Sequence, residues 1–187
     1  MSGRLTALLS RTVDGDRAAR DALFAAAYAE LRRLAHSRLH DGGRNTMLDT
    51  TALVHESYLR LVQTGDLSFD DRRAFFAYAS QVMRSVIVDS ARARLAQRRG
   101  GDAPRVTLST DLAQGVAHQD QAVIQVDEAL QELQKADARA ARMVEMRYFG
   151  GYSDREIADT LDVTERTVQR DWDKARMMLR VILSPDR

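Results

Sequence analysis

The sequence predicts an all-α protein in which a flexible acidic linker joins two small helical domains, with a helix-turn-helix in the C-terminal one. Three observations support this fold class. Apolar residues recur at helical spacing through most of the 187 residues, and the alternation typical of strands is scarce. Only two prolines, Pro104 and Pro185, interrupt the chain. The periodicity stops over residues 100–124, which contain three glycines and Pro104.

The N-terminal domain, residues 1–99, is predicted to contain three helices. The first runs from Asp16 to about Leu39, before the glycines at positions 42 and 43. The second spans residues 50–64, with Asp49 as its N-cap. The third begins at residue 70 or 71 and continues to about residue 98, with Phe75 and Met83 on its apolar face.

A linker over residues 100–124 and a second domain over residues 125–187 complete the predicted organisation. The linker is expected to be mobile, because glycines, a proline and acidic residues replace the helical pattern. The second domain is predicted to hold helices over about residues 125–135, 137–149, 153–160 and 164–182.

The net charge of +1 conceals an uneven distribution of charged residues. Residues 72–99 carry seven arginines and one aspartate, whereas residues 100–130 carry one basic and five acidic side chains. Guanidinium groups suit phosphate contacts, so the third helix is a candidate nucleic-acid surface. The alternative is an ordinary solvated helix face.

Composition excludes several function classes. The chain has no cysteine, so it has no disulfide framework, thiolate metal site or cysteine nucleophile. His36 and His40 have a spacing that suits a metal, but histidines on a surface helix usually bind none. We therefore expect no catalytic residues, no metal and no cofactor. No apolar run approaches the roughly 20 residues of a membrane span, and no signal peptide is evident, so a cytoplasmic protein is expected.

The strongest local pattern is YSDREIADTLDVTERTVQRDWDKARMMLR. Ser153 and Glu156 have the spacing of a capping box, and Thr164 has the position of a second N-cap. Behind Thr164, one apolar stripe is formed by Val168, Trp172, Ala175 and Leu179. Two helices joined by a short turn, the second with a polar face, predict a helix-turn-helix.

The opposite face of the second helix is the candidate DNA-reading surface. Arginine pairs with guanine and glutamine with adenine through two hydrogen bonds each, and hydroxyl or further arginine groups suit phosphates. The alternative is a helical hairpin with a solvated charged face. The candidate residues are Arg166, Thr167, Gln169, Arg170, Asp173, Lys174 and Arg176.

Both halves together resemble bacterial RNA polymerase sigma factors of the extracytoplasmic-function (ECF) type. The segment GGYSDREIADTLDVTERTVQRDWDKARMML is similar to region four, which reads the minus-thirty-five promoter element. The segments TTALVHESYLRLV and FFAYASQVMRSVIVDSARARLAQRR are similar to region two, which binds core polymerase and opens the minus-ten element. The resemblance covers nearly the full length and preserves the order of the motifs.

The resemblance implies core RNA polymerase and promoter DNA as partners. The polymerase would offer the clamp helices of its largest subunit and the flap of its second. Polymerase-binding residues would be Asp49, Leu53, Glu56, Ser57 and Arg60. Residues at the minus-ten element, which stack on an opened base or track phosphates, would be Phe76, Tyr78, Arg84, Arg92, Arg94, Arg98 and Arg99. For Phe75 core packing is the preferred interpretation.

The sequence departs from the family where the clamp-binding helix begins. Such helices usually start with an acidic cluster, Asp-Ala-Glu-Asp-Leu-Val, but here the residues are DTTALV, with Asp49 as the only acid. A phosphothreonine would restore negative charge and is favoured at a helix N-terminus. We therefore hypothesise that a serine/threonine kinase modifies Thr51 or, as second choice, Thr50. The alternative is that both are ordinary helix-start residues.

A conventional helix-turn-helix regulator is the alternative function. Such a protein binds duplex DNA without core polymerase and usually as a dimer, whereas a sigma factor needs the polymerase. The sequence also leaves open a separate anti-sigma protein as a partner.

Overall fold

A computed structural model describes residues 17–40, 50–63, 69, 72–99 and 110–184 of the chain. Within these ranges the backbone is helical apart from short turns, so the predicted all-α class is confirmed. The helices are α1 (Arg17–His40), α2 (Thr50–Gln63), α3 (Arg72–Arg99), α4 (Thr110–Ala136), α5 (Ala138–Tyr148), α6 (Asp154–Leu161) and α7 (Glu165–Leu183).

The first three helices bury stripes with helical spacing. Leu23, Ala27, Leu31 and Leu34 on α1 are almost completely buried, and α1 packs against α2. Helix α2 in turn packs against α3 and places Leu53 in the core. Spacings of three and four residues place these side chains on one helix face, which explains why the pattern identified the helices.

The predicted linker is wrong over residues 110–124, because α4 is one continuous helix from Thr110 to Ala136. Residues 100–109 lie outside the described part of the chain. Helix α4 lies along α3 and buries Val123, Leu130 and Leu133. The same stripe includes Asp120 and Asp127, both buried. Because Asp120 and Asp127 stand where apolar residues would continue the stripe, the helical periodicity of this segment was not evident in the sequence.

One hydrophobic cluster connects both predicted domains, so they are packed together in this structure. Helix α3 lies at its centre and contacts α2, α4, α5 and α6. We call α1–α3 the first half of the structure and α4–α7 the second half. The cluster includes Met83 and Ile87 of α3 and Met143 and Phe149 of the second half, and each is almost completely buried. The flexible separation expected between the two halves is therefore not what the structure contains.

A glycine allows a close approach between the halves. Gly150 lies in the turn after α5, where an added Cβ would be 2.3 Å from Ser80 Oγ of α3 and 2.7 Å from the Met146 carbonyl oxygen. Both distances are below van der Waals contact, and the carbonyl belongs to the rigid backbone of α5. Any larger residue therefore has to displace this turn, because the α5 carbonyl cannot move aside.

No helix among the described residues is both long enough and apolar enough to cross a membrane.

Gly150→Ala should lower the free energy of unfolding by about 1–3 kcal/mol, the usual cost of overpacking a close contact. Urea unfolding followed by circular dichroism measures the change. Ser80→Ala removes the nearest of the three clashing groups, so Gly150→Ala should cost less in a Ser80→Ala background. An equal cost in both backgrounds would contradict the contact.

Candidate nucleic-acid interface

Helices α6 and α7 are separated by a short turn whose caps match the predicted ones. The Ser153 side chain accepts a hydrogen bond from the Glu156 amide, and the Glu156 carboxylate accepts one from the Ser153 amide, which completes the capping box. Asp162 ends α6 in the left-handed conformation, with φ of 55°. The Thr164 side chain then caps α7 by accepting from the Thr167 amide. These local bonds set the angle at which α7 leaves the turn.

One side of α7 is anchored in the core. Val168 and Ala175 are completely buried, while Trp172 and Leu179 are half-buried against the same cluster. The guanidinium of Arg147 on α5 lies over the Trp172 ring, 4.4 Å from its centroid. A cation over an aromatic face fixes the ring and thereby the rotation of α7. The predicted apolar stripe is confirmed.

The opposite side of α7 is exposed and polar. Thr167 is half-buried, and its hydroxyl lies 2.9 Å from that of Thr164. The basic groups of this face that form ion pairs are themselves exposed, such as Lys174, which lies 3.1 Å from the half-buried Asp137, and such surface pairs are weak. The remaining predicted residues, all exposed, are Arg166, Gln169, Arg170, Asp173, Lys174 and Arg176.

The predicted polymerase-binding residues are divided between surface and core. Thr51 and Glu56 are exposed on α2, and Thr50 is half-buried. Leu53 is fully buried, and the buried Ser57 hydroxyl donates to the Leu53 carbonyl at 2.7 Å. In this conformation both side chains pack in the core beneath α2, so neither is accessible to a protein partner. Asp49 lies outside the described residues.

Arg60 and Leu59 also contribute to the outer face of α2. Arg60 donates to Asp89 of α3 at 2.7 Å and lies near Glu56 at 3.6 Å. Leu59, one turn after the exposed Glu56, is an apolar side chain that is 52% exposed. It completes an outer face that can contact a protein partner through both charge and apolar area.

The aromatic residues of α3 lie mainly in the core. Phe76, a predicted base-stacking residue, is buried beside the buried Phe75, so it cannot stack on a base in this conformation. Tyr78 is half-buried, with its ring 5.5 Å from that of Phe69. Tyr78 thus remains the more accessible of the two predicted stacking groups.

The predicted phosphate-tracking arginines of α3 face acidic side chains of the second half. Arg84 is only 14% exposed, and its Nε donates to Asp127 Oδ1 at 2.7 Å. Its Nη1 donates to Glu145 Oε1 at 3.0 Å, and its Nη2 donates to the Asp127 carbonyl at 3.1 Å. In this conformation every nitrogen of Arg84 already has an acceptor.

The next arginines continue the same contact. Arg92 donates to Asp127 Oδ2 at 3.1 Å. Arg94 binds Asp120 through two nitrogens, with distances of 2.7 and 3.1 Å, and Arg98 approaches the same carboxylate at 3.5 Å. Arg99 is the last residue of α3, and its side chain lies outside the described part.

The sequence pattern did not predict Asp120, Asp127 and Glu145 as partners of these arginines. All three side chains are less than a tenth exposed. Burial raises the pKa of Glu145 above its usual value, although the hydrogen bond from Arg84 opposes the shift. The available signal was the seven-residue spacing of Asp120 and Asp127, which places them two turns apart on one helix face.

The described residues contain no group of three or more side chains placed to hold a metal ion. His36 is exposed on α1. The side chain of His40 lies outside the described part of the chain.

Glu156→Gln should lower the free energy of unfolding at neutral pH by about 1 kcal/mol, the usual contribution of a cap. Burial alone would raise the pKa of Glu156, but hydrogen bonds from Ser153 and the ion pair with Arg33 lower it below 4.5. The stabilisation is therefore present above the unfolded pKa and is lost as pH falls through the folded one.

The difference in stability between wild type and Glu156→Gln should accordingly shrink on acidification, as measured by urea unfolding across the pH range. Asp159→Asn, a charge change on the exposed side of α6, is the control. A pH-independent difference would contradict the assigned role of Glu156.

Comparison of the sequence with known proteins identifies its family. A family model described as ECF sigma factor matches residues 2–184. None of the curated proteins compared with the chain matches it. The family match spans both the arginine-rich helix and the α6–α7 pair. The chain therefore belongs to the ECF sigma factor family and acts in promoter-directed transcription initiation, with core RNA polymerase and promoter DNA as its partners.

Proposed function

We propose that the chain directs core polymerase by contacting two promoter elements, with α7 at the minus-thirty-five element and α3 at the minus-ten element. The observation that carries the first contact is the exposed polar face of α7 opposite its buried stripe. A helix anchored on one side and polar on the other can enter a major groove without disturbing the core.

The N-terminal residues of α7 are the best candidates for base contacts. Arg166 and Gln169 are exposed in its first two turns, where recognition helices usually meet base edges. Both side chains can form the paired hydrogen bonds that distinguish purines. Arg176, farther along the helix, suits a phosphate instead.

At the minus-ten element, the proposed DNA contacts are the arginines of α3 and Tyr78. The arginines are spaced over several turns of one helix, which suits contact with a row of phosphates. The outer face of α2, with Glu56, Leu59 and Arg60, is the proposed contact with the polymerase clamp helices.

Arg166→Ala should weaken binding of the polymerase complex to its promoter about tenfold or more, because a lost bidentate base contact costs about 1–3 kcal/mol. The promoter is first identified by mapping transcript starts that depend on the chain. Promoter affinity is then measured with reconstituted polymerase.

Arg180→Ala removes an exposed arginine from the last turn of the same helix and should leave promoter affinity nearly unchanged. Equal losses from the two variants would contradict reading by the first turns of α7. DNA binding by the chain as a dimer, with no polymerase association, would instead favour a conventional regulator.

We further propose that phosphorylation of Thr51 regulates polymerase binding. Helix α2 has no acidic residue in its first turn, although helix N-termini favour negative charge. Thr51 is exposed in that turn, so a kinase can reach it. A phosphate there adds about −1.5 to −2 charges where the family usually carries acids.

Phosphothreonine introduced at position 51 should tighten binding to core polymerase about tenfold relative to the unmodified chain, through complementary charge. Titration of labelled chain into core polymerase measures the affinity. The matched control carries phosphothreonine at position 50, which is half-buried. Equally tight binding by the unmodified chain would contradict the switch, and a response confined to position 50 would reassign the site.

A further inference from the structure

The contact between α3 and the second half has a chemistry that resembles a DNA contact. It consists of arginines on one helix facing a row of buried carboxylates on another. Asp120 forms ion pairs with Arg94 and Arg98, and Asp127 forms ion pairs with Arg84 and Arg92. These are the arginines that the proposed function assigns to phosphates.

We propose that the chain is autoinhibited: Asp120, Asp127 and Glu145 bury Arg84 and Arg94 of α3 in ion pairs and exclude DNA from them until the two halves separate. This inference rests on the proposed function of α3 in contacting the minus-ten element. It adds that the free chain holds that surface closed with its own acidic side chains.

The geometry makes the two states mutually exclusive at Arg84. All three guanidinium nitrogens have acceptors within 3.1 Å, on Asp127 and Glu145, and the side chain is nearly buried. A phosphate can reach this group only after both carboxylates leave. Arg94 is in the same position, since its bidentate partner Asp120 covers the edge that would meet a phosphate.

The ion pairs between α3 and the second half can also be broken at small net cost in free energy. Buried ion pairs add little net stability, because the cost of desolvating the charges offsets much of their attraction. Open clefts of about 490 and 390 Å³ border Arg84 between α3 and the second half, so solvent reaches the edge of this ion-pair network. Exchange of carboxylates for phosphates keeps every arginine paired and releases counterions from the DNA.

The apolar part of the interface supplies the opposing force. Phe149 is fully buried beside Arg84, whose guanidinium lies 5.9 Å from the ring centroid, and Gly150 approaches Ser80 closely. Separation exposes this area to water, which is unfavourable. A partner that binds the two halves only when they are apart supplies the compensating free energy, and core polymerase is the partner that we propose for this role.

The test compares two double variants of the full chain with identical charge changes. Asp120→Asn/Asp127→Asn removes the carboxylates that face α3. Glu128→Gln/Glu132→Gln removes two exposed carboxylates of the same helix. Binding of each variant and wild type to a short mixed-sequence duplex is measured without polymerase over a range of salt concentrations.

The first variant should bind DNA about tenfold more tightly than the second. Its logarithmic salt slope should steepen by about 0.9 for each arginine that reaches a phosphate. Equal affinities and slopes for the two folded variants would overturn the inference. Adding Arg94→Ala to the first variant should remove part of the gain, and an undiminished gain would also overturn it.

A second measurement keeps the wild-type sequence, in case the buried substitutions prevent folding. Phenylglyoxal modifies accessible arginines, and mass spectrometry locates the products. Arg84 and Arg94 should react slowly relative to the exposed Arg180 in the free chain, and faster after core polymerase is added. Arg84 and Arg94 reacting as fast as Arg180 in the free chain would overturn the inference.

Failure of the proposed function gives a different pattern. If Arg94→Ala leaves promoter binding by the polymerase complex unchanged, α3 does not contact the promoter through that arginine. If Arg94→Ala weakens promoter binding while the acidic substitutions leave the free chain unchanged, only the autoinhibition fails.

Discussion

The guanidinium of Arg84 connects three helices, because it donates from α3 to Asp127 of α4 and to Glu145 of α5. An unpartnered charge at this depth would be strongly unfavourable, so the position of α3 determines where the other two helices can lie. Around this group the apolar cluster runs from α1 to α7 without interruption. The relative placement of the proposed polymerase face and the proposed DNA-reading face thus depends on this ion group together with the apolar cluster around it.

This arrangement gives the acidic helix α4 a role beyond connection. Its buried stripe combines apolar residues with aspartates. The apolar residues can be buried in any interface that excludes water, whereas the buried aspartates need basic partners. The arginines of α3 and the aspartates of α4 satisfy each other within one chain. In a transcription complex the same arginines are proposed to meet phosphates. A single set of charges then serves both the closed and the DNA-bound state, and the balance between them is set by what else binds the two halves.

Local chemistry made much of the fold predictable. The caps at Ser153 and Thr164 depend on neighbouring backbone groups, so α6 and α7 could be placed almost to the residue. Helix α4 could not, because Asp120 and Asp127 interrupt its apolar stripe and their arginine partners are distant in sequence. The exposed face of α7 followed from the position of its stripe. The burial of Phe76 and the pairing of Arg84 depend on packing between the halves, which periodicity does not report.

The separation of the two halves can be measured directly, because the chain has no cysteine and two introduced ones can be spin-labelled specifically. Ala26→Cys on α1 and Asp159→Cys on α6 are exposed positions on opposite halves. Double electron–electron resonance should give one short, narrow distance distribution in the free chain and a longer one with core polymerase. A broad or long distribution in the free chain, or no change on adding polymerase, would contradict a closed state that opens in the complex.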